Sequence, residues 1–142
     1  MEHNVIIKGT GIYTPENEVD NDYFVEHFRR LGVDVKGIMK HMNRQKRFLA
    51  DRDESSLSMA YEASKNALEK LSIDPMELNM IVFASDTPEY NMPTNALKLN
   101  HMLNAKNAQC VFDMNCNCTG MVVAMDVVCL LYTSPSPRDK RQ

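Results

Sequence analysis

Hydrophobic positions along the chain form short continuous runs and one longer stretch with helical spacing. The runs at residues 5–7, 78–84 and 108–114 are mainly apolar and are bounded by turn-forming residues, which predicts buried strands. Between residues 57 and 71 the apolar side chains recur at steps of three and four, so they share one face of a helix. These side chains are Leu57, Ala60, Ala63, Ala67, Leu68 and Leu71.

Capping and turn residues place the remaining elements. Asp20 or Asn21 can cap a helix that ends at Gly32, and Asp53 or Ser55 can cap the long amphipathic helix. Three further predictions are a single turn starting at residues 74–75, a helix over 94–104 and an apolar helix over 120–128. The stretch 36–47 is basic and is predicted to be irregular.

Strands and helices alternate in this pattern, which indicates an α/β fold. Apolar strands separated by helices are typical of a sheet that has helices on both faces. We therefore expect a mixed sheet covered on both sides, preceded by the short strand at 5–7 and the turn at 9–11.

Residues 129–142 differ from the rest of the chain. They combine Ser, Thr, two prolines and basic residues, and Pro135 and Pro137 predict that the preceding helix ends at Val128. The segment from Cys129 to Asp139 is also the translation of a DNA string like a transposon-end sequencing adapter followed by its primer. We therefore interpret 1–128 as the natural, truncated part and 129–142 as a non-native tail. A natural disordered tail is the alternative.

Composition narrows the classes of function. The 142 residues carry a formal net charge of -3 without a basic cluster interleaved with aromatics, which argues against nucleic acid as a partner. No apolar run approaches the roughly 20 residues that span a bilayer, and the N-terminus lacks the pattern of a signal peptide. We therefore expect a cytoplasmic protein whose four cysteines are mostly reduced.

Cys118 is the candidate for covalent chemistry. It follows a buried strand and the short connection 115–117, where the last predicted helix begins. A thiolate is favoured at such a helix start and attacks thioesters, while Gly120 removes a side chain near the sulfur. Cys118 could instead be a buried structural thiol, or could bind metal with Cys116. The Cys-x-Cys pair lacks a second ligand pair, so we predict no metal site.

Four segments together resemble ketoacyl synthase III, a condensing-enzyme family of the thiolase superfamily. They are IKGTGIYTP at 7–15, the helix at 56–71, MIVFASDTP at 80–88 followed by Met92-Pro93, and FDMNCNCTGM at 112–121. In this family the catalytic cysteine immediately precedes a small residue and glycine, which selects Cys118 over Cys116. The resemblance covers nearly all of residues 4–128 and implies the N-terminal half of a thiolase-like fold.

The resemblance implies β-ketoacyl synthesis in fatty acid biosynthesis. Cys118 would accept an acyl group from acyl-CoA or an acyl-carrier-protein primer, and would condense it with malonyl-acyl-carrier protein without a further cofactor. The enolate-stabilising His and Asn of the family come from the C-terminal half, so this chain is expected to be inactive in condensation. The full-length enzyme is expected to be a homodimer, in which Met92 reaches the partner's acyl pocket.

Departures from the family pattern leave alternatives open. The chain has no Trp to stack on the CoA adenine, and the basic residues Lys40, Arg44 and Arg47 could contact phosphates or simply face water. The alternatives are a hydroxymethylglutaryl-CoA synthase-like enzyme or thiolase, and a non-catalytic dimerisation or carrier-protein-binding module. We expect Asp113 to hydrogen-bond backbone in the turn after its strand. A dinucleotide site is disfavoured, because Gly9-Thr10-Gly11 lacks the later glycine of that fingerprint.

Overall fold

The computed structural model describes residues 5–133, which form two compact units. The larger unit combines residues up to Ile12 with those from Ser56 onward, and the smaller unit is Tyr13–Ser55. None of the helices within residues 5–133 has the length and apolar character that crossing a bilayer requires.

The smaller unit contains a two-stranded antiparallel sheet and two helices. Strand β1 (Asn17–Asp20) is followed by α1 (Asn21–Arg30), α2 (Lys36–His41) and β2 (Lys46–Leu49), which pairs with β1. As predicted, the Asp20 side chain caps α1 by accepting the Tyr23 N–H at 3.0 Å. The helix ends before Gly32, whose φ of 78° suits a glycine.

The prediction that residues 36–47 are irregular was wrong. They form α2 and the start of β2, which β1 stabilises through backbone pairing. The Arg47 guanidinium lies over the Phe24 ring at 4.7 Å and donates to Asn21 Oδ1 at 2.7 Å. Long-range contacts of this kind have no local sequence signal. Strand β2 therefore could not be predicted from its mainly charged neighbourhood.

The larger unit is built on a parallel pair of strands. Its helices are α3 (Ser56–Leu71), α4 (Asn95–Leu103) and α5 (Gly120–Thr133), and its strands are β3 (Met80–Ala84) and β4 (Cys110–Met114). The strands pair in parallel with Met80 opposite Cys110 and Ala84 opposite Met114. A single turn of 3-10 helix at Pro75–Glu77 has an Asp74 capping box, which confirms the predicted turn.

Side chains of β3 alternate between two apolar layers. Ile81 and Phe83 are buried in a core with Leu57 of α3 and with Leu99 and Leu103 of α4. The intervening Met80, Val82 and Ala84 instead line a cleft with α5. Helices therefore cover both faces, which confirms the α/β class, although the described strands form two separate two-stranded sheets.

Residues 5–7 are not part of a described strand, contrary to prediction. Val5, Ile6 and Ile7 have high β propensity, but no strand within the described residues pairs with them. Their exposed fractions are 46%, 71% and 72%. Apolar character alone does not form a strand, because the backbone also needs a hydrogen-bonding neighbour.

Helix α5 also differs from prediction, since it continues past Val128 to Thr133. Proline disfavours helical conformation at the residue before it, so Pro135 permits a helix up to Thr133. Residues 134–142, which include most of the predicted tail, lie outside the described residues.

The apolar face predicted for α3 serves two neighbours. Leu57 joins the core with α4, whereas Ala63, Ala67 and Leu71 lie against the segment that contains Gly9 and Gly11. Asn66 Nδ2 donates to the Ile12 carbonyl at 2.9 Å and fixes this segment along the helix. A Cβ atom on Gly11 would overlap the Ala63 carbonyl oxygen and lie 2.6 Å from Ala67 N.

We predict that Gly11→Ala destabilises the protein by about 1–3 kcal/mol, because the rigid α3 backbone cannot move away from the added methyl group. Gly120→Ala is the matched control, since its Cβ would meet only Ala84 Cβ, at 3.6 Å. The control should be neutral or stabilising by up to about 1 kcal/mol. Urea unfolding followed by circular dichroism measures both; equal midpoints for the two variants would contradict the packing described.

Candidate active site

The carboxyl ends of β3 and β4 lie side by side and carry the candidate site. The backbone pairing extends past β3, because Ser85 N–H donates to the Met114 carbonyl at 3.1 Å. After Met114 the chain turns through a single 3-10 turn, Asn117–Thr119, directly into α5. Cys118 is the exposed residue at the centre of this turn.

Local hydrogen bonds fix the turn that holds Cys118. The Cys116 carbonyl accepts from the Thr119 backbone N–H at 3.2 Å and from the Thr119 hydroxyl at 2.8 Å. Asn115 Oδ1 accepts the Asn117 N–H at 3.2 Å. Asn117 has a φ of 49°, a left-handed conformation that Asn tolerates better than most residues.

Cys118 therefore lies two residues before α5, within the 3-10 turn, instead of opening the helix. The thiol is still close to the N-terminus of a 14-residue helix, the positive end of the helix dipole. The alternative of a buried structural thiol is inconsistent with its exposure. Gly120 is buried beside Ala84 of β3, where an added Cβ would meet only Ala84 Cβ, at 3.6 Å.

Asp113 connects β4 to the start of α4. Its two carboxylate oxygens accept the Asn95 N–H at 2.9 Å and the Ala96 N–H at 2.7 Å. Asp113 thus bonds backbone, as expected, but at α4 and not in its own turn. Asn95 is completely buried, and its Oδ1 accepts the Tyr90 N–H at 3.2 Å, which fixes the loop before α4.

Sequence comparison finds relatives that carry the same enzyme name. The chain is 35% identical over 125 residues to a β-ketoacyl-[acyl-carrier-protein] synthase III of Clostridium perfringens, matching 88% of this chain and 37% of the relative. It is 32% identical over 121 residues to the enzyme of the same name from Methylococcus capsulatus, matching 85% of this chain and 36% of the relative. No protein-family model matches the chain.

Solved structures give the same result. The 3-oxoacyl-[acyl-carrier-protein] synthase III of Aquifex aeolicus matches with a TM-score of 0.75 and 28% identity, covering 88% of this chain and 39% of that one. The chain is related to ketoacyl synthase III. A priming β-ketosynthase from the R1128 polyketide pathway matches with a TM-score of 0.72 and 28% identity, over 84% of this chain and 34% of the other.

The resemblance to ketoacyl synthase III inferred from the four motifs is thereby confirmed, as is a thiolase-like α/β fold. The chain spans about 37% of the length of the curated relatives that it matches.

Met92 remains a predicted substrate-binding residue. It lies in the loop that Asn95 fixes, and 90% of its surface is exposed. The neighbouring Tyr90 ring carries the Lys98 ammonium over its face at 3.5 Å. The loop thus presents a free apolar side chain next to an ordered backbone.

None of the histidines in residues 5–133 belongs to the turn that holds Cys118. His27 and His41 belong to the smaller unit, and His101 lies in the last turn of α4, where it lines a cleft with Leu57 and Pro93. His3 lies outside the described residues. Within residues 5–133 no group of His, Cys, Asp and Glu side chains could hold a metal ion.

The basic cluster is partly accounted for by structural contacts. Arg47 is engaged by Phe24 and Asn21, and the Arg44 carbonyl accepts the Asn21 side-chain amide at 2.8 Å. Arg47 therefore stabilises the smaller unit, and a phosphate would compete with these contacts.

One feature of the larger unit had no sequence signal, an apolar cleft of about 750 Å³ between residues 5–7, β3 and α5. From α5 it is lined by Met121, Ala124, Met125, Val128 and Cys129. The residues that line this cleft come from three separate parts of the chain, so the cleft could be recognised only from the folded structure.

We predict that Asp113→Asn lowers the free energy of unfolding by about 1–3 kcal/mol, because one of the two α4 N–H donors would face an amide NH2. Asp126→Asn on the exposed side of α5 is the matched control and should be nearly neutral. Amide hydrogen exchange should accelerate at Ala96 in Asp113→Asn alone. Unchanged exchange at Ala96 would contradict the role of the carboxylate.

Proposed function

We propose that this chain carries the acyl-accepting part of a β-ketoacyl-[acyl-carrier-protein] synthase III, with Cys118 as the nucleophile. The observation that carries the proposal is the exposed thiol in a hydrogen-bonded turn between β4 and α5, at the end of a parallel strand pair. Similarity to enzymes of that name over most of the chain supports it.

The first chemical step uses the thiolate of Cys118. Its sulfur attacks the carbonyl carbon of an acyl-CoA or acyl-carrier-protein thioester, and the leaving thiolate takes up a proton from solvent. An S-acyl cysteine remains on the turn. The N-terminal end of α5 favours negative charge beside the sulfur before the attack.

The second step belongs to the complete enzyme. Malonyl-acyl-carrier protein loses carbon dioxide, and the resulting enolate carbon attacks the acyl-cysteine carbonyl, which forms the new C–C bond and releases the Cys118 thiolate. Hydrogen-bond donors to the enolate oxygen lower this barrier. In the family these donors are a His and an Asn. We do not assign the role of that His to His27, His41 or His101. We therefore propose that this chain is acylated but does not condense.

We further propose that Met92 contacts the acyl chain across a homodimer. Its almost complete exposure, on a loop fixed by Asn95, suits a side chain that is covered only by a second subunit. Acyl-carrier protein is the proposed macromolecular partner, in the cytoplasm, with neither nucleic acid nor a membrane involved. Thiol and thioester groups supply all the proposed chemistry, and we propose no cofactor for this protein.

Incubation of the reduced protein with acetyl-CoA or a longer acyl-CoA should add one acyl group, located on Cys118 by peptide mass mapping. Cys118→Ala should lose this adduct, because no other exposed thiol lies in the described residues. Cys110→Ala is the control and should retain it, since Cys110 is a half-buried residue within β4.

Addition of malonyl-acyl-carrier protein to the acylated protein should give no β-ketoacyl product. Retention of the adduct in Cys118→Ala would refute the nucleophile. Full turnover by the wild-type chain would instead refute the proposed restriction to acylation.

A further inference from the structure

Asn95, the first residue of α4, is the only polar side chain that is buried within residues 5–133, and it has no exposed surface. The other buried residues of this helix are Ala96, Leu99 and Leu103. A buried amide destabilises a fold unless its polar atoms form hydrogen bonds. Asn95 therefore has a position that an apolar residue would be expected to fill.

Only one end of the Asn95 amide is satisfied. Its Oδ1 accepts the Tyr90 N–H at 3.2 Å, whereas Nδ2 is buried without a hydrogen-bond partner among the described residues. Turning the amide over would place its NH2 group against the Tyr90 N–H, which cannot accept. An unpaired buried donor destabilises a protein at least as much as one hydrogen bond stabilises it. The Asn95 side chain thus contributes little net stability, and its main effect is the contact with Tyr90.

The hydrogen bond between Asn95 and Tyr90 closes the loop that carries Met92. It joins residues five apart, so the four residues 91–94 are held at both ends. Lys98 lies nearly one turn farther along α4 and holds the same tyrosine, because its ammonium group is 3.5 Å from the centre of the ring. Met92 lies within the closed loop with 90% of its surface exposed.

Asn95 also attaches this loop to the strand pair. Its backbone N–H donates to Asp113 Oδ2 at 2.9 Å, and Asp113 belongs to β4, the strand that leads into the turn of Cys118. The backbone of Asn95 therefore contacts the strand while its side chain contacts the loop. The placement of Met92 relative to β4 depends on this residue.

We propose that Asn95 is a positioning residue for acyl transfer, which holds Met92 in place to select longer acyl chains. This inference rests on the proposed function, in which Cys118 accepts the acyl group and Met92 contacts the acyl chain across a homodimer. Apolar contact with Met92 increases with acyl chain length, so the closed loop favours a longer acyl-CoA over acetyl-CoA. Asn95 acts through Met92 and takes no part in the covalent step.

The test compares Asn95→Leu with Asn100→Leu, two substitutions by a residue of similar size on the same helix. Asn100 Nδ2 donates to the Ala105 and Ala108 carbonyls, at 3.1 Å and 3.4 Å, so the control loses hydrogen bonds at the other end of α4. Asn95→Leu removes the unpaired donor together with the acceptor, and water can accept the Tyr90 N–H instead. The urea unfolding midpoint should therefore fall for Asn100→Leu and stay close to wild type for Asn95→Leu.

Two further measurements report on the loop and on selection. Amide hydrogen exchange at Tyr90 should become severalfold faster in Asn95→Leu and stay unchanged in Asn100→Leu. Acylation of Cys118 by octanoyl-CoA and by acetyl-CoA, followed by intact mass, gives the ratio of the two rate constants. This ratio should fall severalfold in Asn95→Leu, as it should in Met92→Ala, and stay at the wild-type value in Asn100→Leu.

A ratio that falls in Met92→Ala but not in Asn95→Leu would overturn the positioning role, as would unchanged exchange at Tyr90. If the unfolding midpoint falls as far in Asn95→Leu as in Asn100→Leu, Asn95 is a structural residue and the inference is wrong. The proposed function fails in other readouts. A wild type without acylation would refute Cys118 as the acceptor, and an unchanged ratio in Met92→Ala would refute the acyl contact; the inference would fail with either.

Discussion

Parallel pairing of β3 with β4 is the constraint on which the larger unit depends, because it brings the carboxyl ends of both strands to one edge. Ser85 N–H continues the pairing onto the Met114 carbonyl, and the Asp113 carboxylate holds the first two N–H groups of α4. The turn with Cys118 therefore starts from a fixed strand end. The proposed reactivity of Cys118 depends on two features of this placement, the exposure of the thiol and the nearby start of α5.

The same strand pair creates two unequal apolar layers. On the α3–α4 side, Ile81 and Phe83 are buried, and the packing is closed. On the α5 side, Gly120 lies beside Ala84 at the start of the helix, but the cleft farther along stays open, and Ile6, Ile7 and Met121 remain more than half exposed. Exposed apolar surface of this extent favours association. Acyl transfer is proposed at the carboxyl ends of the two strands, where Cys118 lies just before α5.

Local sequence signals predicted the elements that local physics determines. The Asp20 cap, the Asp74 turn, the helix after Thr94 and the two apolar strands at 80–84 and 110–114 lie close to their predicted places, as does the turn bearing Cys118. What the sequence could not supply depends on distant partners. Strand β2 lies in a mainly charged segment and forms because β1 pairs with it. Residues 5–7 have no neighbouring strand within the described residues. Asp113 accepts hydrogen bonds from the start of a helix that lies eighteen residues earlier in the chain. The resemblance to ketoacyl synthase III selected Cys118 over Cys116 because it rests on a whole motif, in which the cysteine precedes a small residue and glycine.

The most direct measurement of the central claim, that the fold makes Cys118 the reactive thiol, is competitive alkylation. The reduced protein would be treated with less than one equivalent of iodoacetamide, in native buffer and in urea, and all four cysteines mapped by mass. The account predicts that Cys118 takes most of the label in native buffer and loses this preference in urea. Equal labelling of Cys110, Cys116 or Cys129 in native buffer, or a Cys118 preference that persists in urea, would contradict it.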